Sequence, residues 1–323
     1  MGYKSVIMRT VKWCEIMKKC PFISVCGGCK YDFTSDDYHD KKLSLLAPLN
    51  ISDNVFWTPY GRRRRADFAF SDGKFGFFER GTKNIVSISN CPNLVPEINA
   101  VLPNLARFPW NGTGSALVTL CDNGIDMAVN SDVPYFSREF KLAAEKSGLI
   151  RVSWNGTVVF QSANPQIRFG DVTCDYPIGA FLQPTTESET AMRNFVMKHS
   201  VGAKRVADLF CGIGNFTFAL NADGFDIVGP FNRRDLFKRP LTVKMLNNYD
   251  LVVMDPPRAG ALDQCRELAH STVPRIIYVS CNPTTLKRDT NILIKSGYKV
   301  IDTMAFDQFV GSPHWELAVV FEK

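Results

Sequence analysis

Two strand ends carry residues whose types and spacing suit chemistry. Asp255-Pro256-Pro257-Arg258-Ala259-Gly260 follows one apolar run, and Tyr278-Val279-Ser280-Cys281-Asn282-Pro283 closes the next. Two prolines after an aspartate end a strand and fix an irregular loop. Cys281 stands at such an end, with Asn-Pro-Thr opening a helix behind it. A free thiol of pKa about 8.5 is only about 3% thiolate at pH 7. The positive end of a helix is expected to lower that pKa and make Cys281 a nucleophile. A lone cysteine is more often a small buried hydrophobe; its place at a strand end before a helix favours the reactive reading.

Asp208-Leu-Phe-Cys-Gly212-Ile-Gly214-Asn215 also leaves an apolar strand and opens a helix. Glycines there let a ligand approach the backbone, and the helix start offers free amides. Thr217 stands where a dinucleotide fingerprint has its third glycine. An acid near the end of the strand suits the α-amino group of a methionine moiety better than a pyrophosphate, which tilts the site towards S-adenosylmethionine. A tight strand–helix turn with no ligand would use the same glycines.

A third group is Cys20-x5-Cys26-x2-Cys29, which Cys91 can join across a hairpin after the strand-like run NIVSIS. Four thiolates satisfy either tetrahedral zinc or an iron–sulfur cluster, and spacing does not choose between them. The other cysteines are scattered, and nothing marks a disulfide scaffold.

Taken together, DLFCGIGNF, DPPRAG, SCNP and the terminal SPHWELAVVF resemble the RNA uracil-5-methyltransferase family, and CPFISVCGGC resembles the iron–sulfur segment of its ribosomal-RNA branch. The resemblance runs from about Cys20 to the end. It implies a Rossmann-like class I methyltransferase domain of α/β class, preceded by a β-rich α+β domain. It also implies S-adenosyl-L-methionine as methyl donor and a 4Fe-4S cluster on Cys20, Cys26, Cys29 and Cys91, with zinc as the alternative. Cys281 would add to carbon 6 of a uridine, turning carbon 5 into a nucleophile. Glu316 would then remove the carbon-5 proton; without the resemblance it reads as a surface glutamate on a late strand. Asp255 would serve both the catalytic and the cofactor pocket. Gln183, Asp208, Phe210, Gly212, Asn215 and Asp235 complete the cofactor set. Thr185 stands where the family usually has asparagine.

Other chemistries fit less well. A cytosine-5-methyltransferase places its nucleophile where Arg258 stands, and an amino-directed enzyme wants an aromatic residue there. The partner implied is RNA, 23S ribosomal by the cysteine segment and transfer RNA otherwise, with no protein partner and a monomer expected. A non-catalytic RNA-binding relative is the third reading, because only Pro230 to Asp250 separate the strand FDIVG from DLVVMDPP. The ribose-binding acid expected after Gly229 is replaced by Pro230, and a helix and strand are short of room. The expectation is a break at Gly229-Pro230 with residues unplaced there.

These motifs need two kinds of scaffold. From about residue 181 strands alternate with helices, which predicts a doubly wound parallel sheet with ligands at its carboxyl ends. Residues 1–180 read as hairpins turning at Asp72-Gly73, Asn123-Gly124 and Asn155-Gly156. Helices are expected over 36–47 and 137–146, the latter capped by Ser137. The division expected is thus 1–180 and 181–323. The net charge of +6, from 38 basic and 32 acidic residues, permits a polyanion partner. The run Arg62-Arg63-Arg64-Arg65 is its sharpest local form, a candidate for phosphate contact. No stretch nears the roughly 18 apolar residues of a membrane span. The first 19 residues show no leader and leave no room for a further RNA-binding barrel, so the cytoplasm is expected.

Overall fold

The computed structural model describes residues 20–47, 54–134 and 136–323, so the leader question lies outside the described residues. Helix α1 (Tyr38–Leu43) and strand β1 (Val55–Trp57) come first. The hairpin strands β2 (Arg65–Ser71), β3 (Lys74–Phe78) and β4 (Ile85–Ser87) lead into helix α2 (Pro96–Leu105). Strands β5 (Thr113–Cys121) and β6 (Gly124–Ser131), helix α3 (Arg138–Glu145) and the hairpin β7 (Arg151–Trp154), β8 (Thr157–Gln161) follow. They form a seven-stranded sheet in the order β4-β3-β2-β5-β6-β7-β8. Alternation builds it: Ala66, Phe68 and Phe70 of β2 point into the core, while Asp67 between them is exposed. The hairpins turn where expected, Asp72-Gly73 and Asn155-Gly156 taking the positive φ pairs such two-residue turns require. Ser137 caps α3, its Oγ accepting from Phe140 N–H at 3.1 Å. Helix α2 was not foreseen; it packs Ile98, Leu102 and Leu105 into the core.

A short hairpin, β9 (Gln166–Phe169) with β10 (Val172–Asp175), leads to helix α4 (Thr186–His199). The alternating half then runs β11 (Val206–Leu209), α5 (Asn215–Leu220), β12 (Asp223–Asp226), β13 (Asn232–Arg233), α6 (Val243–Leu246) and β14 (Leu251–Met254). It ends with α7 (Leu262–Ala269), β15 (Arg275–Ser280), α8 (Pro283–Lys295), β16 (Lys299–Asp307) and β17 (Glu316–Glu322). The sheet order is β1-β16-β17-β15-β14-β11-β12-β13, parallel from β13 to β15 and antiparallel where β17 is inserted between β15 and β16. Strands β11 and β14 are buried at every residue, as a sheet covered on both faces demands. β1 crosses the boundary expected near residue 180: it lies before it in sequence and extends the second sheet alongside β16. Among the described residues no helix is long and apolar enough to cross a membrane.

Gly229 and Pro230 lie in a short link between β12 and β13. Gly229 turns at φ +86°, and the five residues Ile227–Phe231 join β12 to β13 with no room for a helix. The strand order survives, because Asn232 and Arg233 take the edge position beside Phe225 and Asp226. The strand expected as FDIVG instead ends at Asp226. That is four residues before Pro230.

Candidate active site

Strand register brings the nucleophile and base candidates together. Ser280 of β15 pairs with Leu317 of β17, so one step further along the ladder lie Cys281 and Glu316. Leu209, Met254 and Tyr278 align across β11, β14 and β15, which puts Phe210 and Asp255 just beyond the same edge. A cavity of about 440 Å³ opens there, and Cys281, Glu316, Asp255, Gln183, Phe210, Gly212 and Asp235 all line it. Asn215 lines an adjoining pocket. Asp208 is fully buried and lines neither; Thr217 Oγ1 donates to its Oδ2 at 2.6 Å.

The loops are fastened to their neighbours. Asn282 caps α8, its Oδ1 accepting from Thr284 N–H at 3.1 Å, while its Nδ2 donates to the Arg258 carbonyl at 2.8 Å. Ala261 N–H and Tyr278 OH both donate to Asp289 Oδ2, tying the Asp-Pro-Pro loop to α8. Phe210 sits at φ +60°, a conformation that a bulky side chain rarely adopts and that is concentrated at functional sites. Thr185 is buried and caps α4 through Ser188 N–H at 3.3 Å. Its side chain is thus occupied by the helix.

The electrostatics run against one expectation. The Cys281 thiol is pushed up to about 11, by burial first and then by Glu316 and Asp255, against the lowering by Arg258 and its own backbone amide. Burial likewise holds Asp255 at about 7, against the donated hydrogen bond from Gln183 Nε2 at 3.1 Å. Glu316 is raised well above the ordinary range by burial and by Asp255, although Gln308 Nε2 donates to its Oε2 at 2.6 Å. Glu316 Oε1 and Gln183 Oε1 have no partner within the protein; both belong to residues on the cavity wall and suit an incoming donor.

Sequence reasoning missed Asp226. It lines the cavity at the end of β12, Oδ2 accepting from Gly212 N–H at 2.9 Å and Oδ1 from Val228 N–H at 3.0 Å. An acid was expected four residues later, and only the register of the folded strand reveals this one. Phe181 and Phe309, also on the wall, carried no local signal.

The four arginines do not form one phosphate patch. Arg64 is buried against Glu189, Nη2 to Oε2 at 2.7 Å, and Arg63 lines the cysteine cavity. Arg65 lies 5.4 Å from the Phe181 ring centre, and exposed Arg62 pairs with Glu187 at 3.3 Å. Cys20, Cys26, Cys29 and Cys91 line one cavity of about 200 Å³. Gly28 N–H points to Cys26 Sγ at 3.3 Å and Asn93 Nδ2 to Cys29 Sγ at 3.9 Å. As placed, no group of three or more Cys, His, Asp or Glu among the described residues closes to metal-binding geometry.

Sheet order and a cavity at the strand ends define a Rossmann-like methyltransferase fold. The same fold is found in the tRNA (uracil-54, C5)-methyltransferase of Pyrococcus abyssi, solved with S-adenosyl-L-homocysteine; TM-score is 0.72 at 21% identity, covering 90% of this chain and 83% of that one. The family model described as tRNA (Uracil-5-)-methyltransferase matches residues 228–323. An uncharacterised RNA methyltransferase of Agrobacterium fabrum is 35% identical over 344 residues, 92% of this chain and 82% of the relative. The 23S rRNA (uracil(1939)-C(5))-methyltransferase of Erwinia tasmaniensis is 28% identical, covering 96% and 83%. The chain belongs to the RNA uracil-5-methyltransferase family and is a methyltransferase. The 344 aligned positions with the Agrobacterium protein span only about 297 residues of this chain, so that relative carries internal residues this chain lacks.

Proposed function

We propose that the protein transfers a methyl group from S-adenosylmethionine to carbon 5 of a uridine in 23S ribosomal RNA, through a covalent bond between Cys281 and carbon 6. The observation that carries this reading is the β15–β17 register, which sets Cys281 beside Glu316 on the wall of one cavity. S-adenosylmethionine supplies an electrophilic methyl group on its sulfonium. Gln183, Phe210, Gly212, Asp226 and Asp235 would hold it, Asn215 would border it, and Asp208 steadies the turn through Thr217. Burial and two flanking carboxyls keep Cys281 a thiol until the uridine docks. The thiol passes its proton to the Asp255 carboxylate, held near 7 on the same wall, as its sulfur bonds to carbon 6, and the displaced electron pair makes carbon 5 nucleophilic. Glu316, which burial keeps protonated before the uridine docks, must first release that proton to solvent. After methylation its carboxylate takes the carbon-5 proton, the carbon 5–carbon 6 double bond re-forms, and the departing thiolate recovers its proton from Asp255.

Cys20, Cys26, Cys29 and Cys91 fit a four-iron, four-sulfur cluster: four thiols share a cavity, and an amide N–H and an Asn side chain are aimed at their sulfurs. Zinc is the alternative occupant. This segment and the Erwinia relative favour ribosomal RNA as substrate. The test is methylation in vitro together with mass mapping of 5-methyluridine in cells with and without the gene. Cys281→Ala should abolish transfer, Glu316→Gln should accumulate a covalent RNA adduct, and one 23S position should lose its methyl group. Loss from transfer RNA instead overturns the ribosomal assignment, and full turnover by either variant overturns the mechanism.

The shortened β12–β13 link favours one other reading, an RNA-binding relative with impaired catalysis; absence of cofactor binding would support it.

A further inference from the structure

The segment between β16 and β17 ends on Glu316, and an N-terminal helix far away in sequence grips it. Lys42 of α1 has no exposed surface. Its Nζ pairs with Asp307 Oδ1 at 2.8 Å and donates to the carbonyls of Ser312 at 3.0 Å and His314 at 2.6 Å. Two ammonium protons go to those carbonyls, and Asp307 Oδ1 stands at ion-pair distance from the same charge. The same ammonium lies 4.4 Å from the Trp315 ring centre, while Trp315 Nε1 donates to the Lys42 carbonyl at 3.1 Å. Tyr38, one turn earlier, donates to Asp307 Oδ2 at 2.7 Å and accepts from Gly311 N–H at 3.0 Å.

These contacts bracket the catalytic residues. Asp307 ends β16 and precedes Gln308, which donates to Glu316; Trp315 immediately precedes Glu316; Phe309 lines the cavity. A buried ion pair is a weak source of net stability, since an apolar pair of similar volume often serves as well. What an ammonium adds is direction, gathering two carbonyls and a carboxylate around one charge. With no exposed surface, Lys42 does not reach the substrate.

We propose that Lys42 is a positioning residue for Glu316: through Asp307 and the Ser312 and His314 carbonyls it fixes the strand-to-strand segment that aims the base at carbon 5. This rests on the reading of Glu316 as base. A carboxylate displaced by about 1 Å costs roughly 100-fold in rate, and the loss should fall on proton abstraction, after methyl transfer.

The test is single-turnover kinetics of Lys42→Met with denaturing gels that separate covalent adduct from free methylated RNA. Total methyl incorporation should stay within about threefold of wild type, while resolution of the adduct slows by about 10- to 100-fold. Lys42→Arg, which keeps donors in place, should recover part of the loss. If Lys42→Met fails to fold, Lys42→Met/Asp307→Asn leaves no unpaired buried carboxylate and carries the same readout. Adduct resolution at the wild-type rate in a folded variant overturns the proposal. Glu316→Gln run alongside separates the two ideas: if it accumulates no adduct, the base reading falls and this proposal with it.

Discussion

Gln183 and Asp255, 72 residues apart, meet at the cavity wall, where Gln183 Nε2 donates to Asp255 Oδ2 at 3.1 Å. The bond joins the segment leading into α4 to the loop leaving β14, so one side chain orients an acid of the site while its Oε1 stays open to a ligand. The Gln183 backbone is held separately, its carbonyl accepting from Arg64 Nε at 3.1 Å.

Gln183→Ala should therefore spare the fold and weaken the site. A hydrogen bond to a charged group is worth about 1.5–3 kcal/mol, so S-adenosylhomocysteine affinity should fall about 10- to 100-fold by calorimetry. The thermal midpoint should fall modestly, because the buried Asp255 carboxyl loses the donor it has in Gln183. Wild-type affinity would remove Gln183 from the cofactor set.

Asp208 gives stability a pH dependence. Burial, reinforced by Asp255 and Asp226, raises its carboxyl from 3.8 to about 7 against the hydrogen bond from Thr217. The folded state then holds a proton that the unfolded chain releases near pH 4. The associated stability is complete below that pH and is lost as pH rises through about 7. By size of shift the loss is roughly 4 kcal/mol. Asp255, also near 7, acts in the same direction. The ligand-free protein should melt lower at pH 8 than at pH 5.5, and Asp208→Asn should flatten that slope. Melting that rises with pH over this window would contradict the assignment.

The cysteine centre can be checked by composition. Protein purified without oxygen should be brown, with about four iron and four sulfide per chain. Cys91→Ser should lose both, since Cys91 shares the cavity with Cys20, Cys26 and Cys29. A colourless protein with stoichiometric zinc would keep the four ligands and replace the cluster.

What the sequence disclosed was whatever its signals keep local. Asp72-Gly73 and Asn155-Gly156 announce their turns because few other residue pairs tolerate that backbone. Asp-Pro-Pro and Cys-Asn-Pro mark strand ends because each carries its own stop signal, and a parallel sheet gathers such ends. What stayed hidden depends on tertiary neighbours. Arg64 looks like its neighbours in a basic run until Glu189, 125 residues on, takes it into the core. The helix start behind Cys281 is legible, yet the burial and the two carboxyls that raise its thiol are not. Lys42 and Asp307 carry no local pattern at all. Asp226 was missed because β12 ends earlier than its apolar run suggests.

That early end sets the last expectation. With the β12–β13 link reduced to Ile227–Phe231, the acid expected at Pro230 is gone, but Asp226 now stands at the strand end and on the cavity wall. Acids at this place in doubly wound sheets bind ribose hydroxyls. Asp226 also accepts from Gly212 N–H, so it shapes the glycine turn as well as facing the ligand. Asp226→Asn keeps one acceptor for that amide but loses the charge and an acceptor. It should weaken S-adenosylhomocysteine binding about tenfold or more, by the 1.5–3 kcal/mol of a charged hydrogen bond. A 2′,3′-dideoxy analogue of the same ligand should bind wild type and variant alike, because the variant's loss lies in those hydroxyls. If Asp226→Asn binds the parent ligand as wild type does, Asp226 is not the ribose acid. If the wild-type protein itself binds none, the shortened link has cost it the cofactor, and the RNA-binding reading becomes the better one.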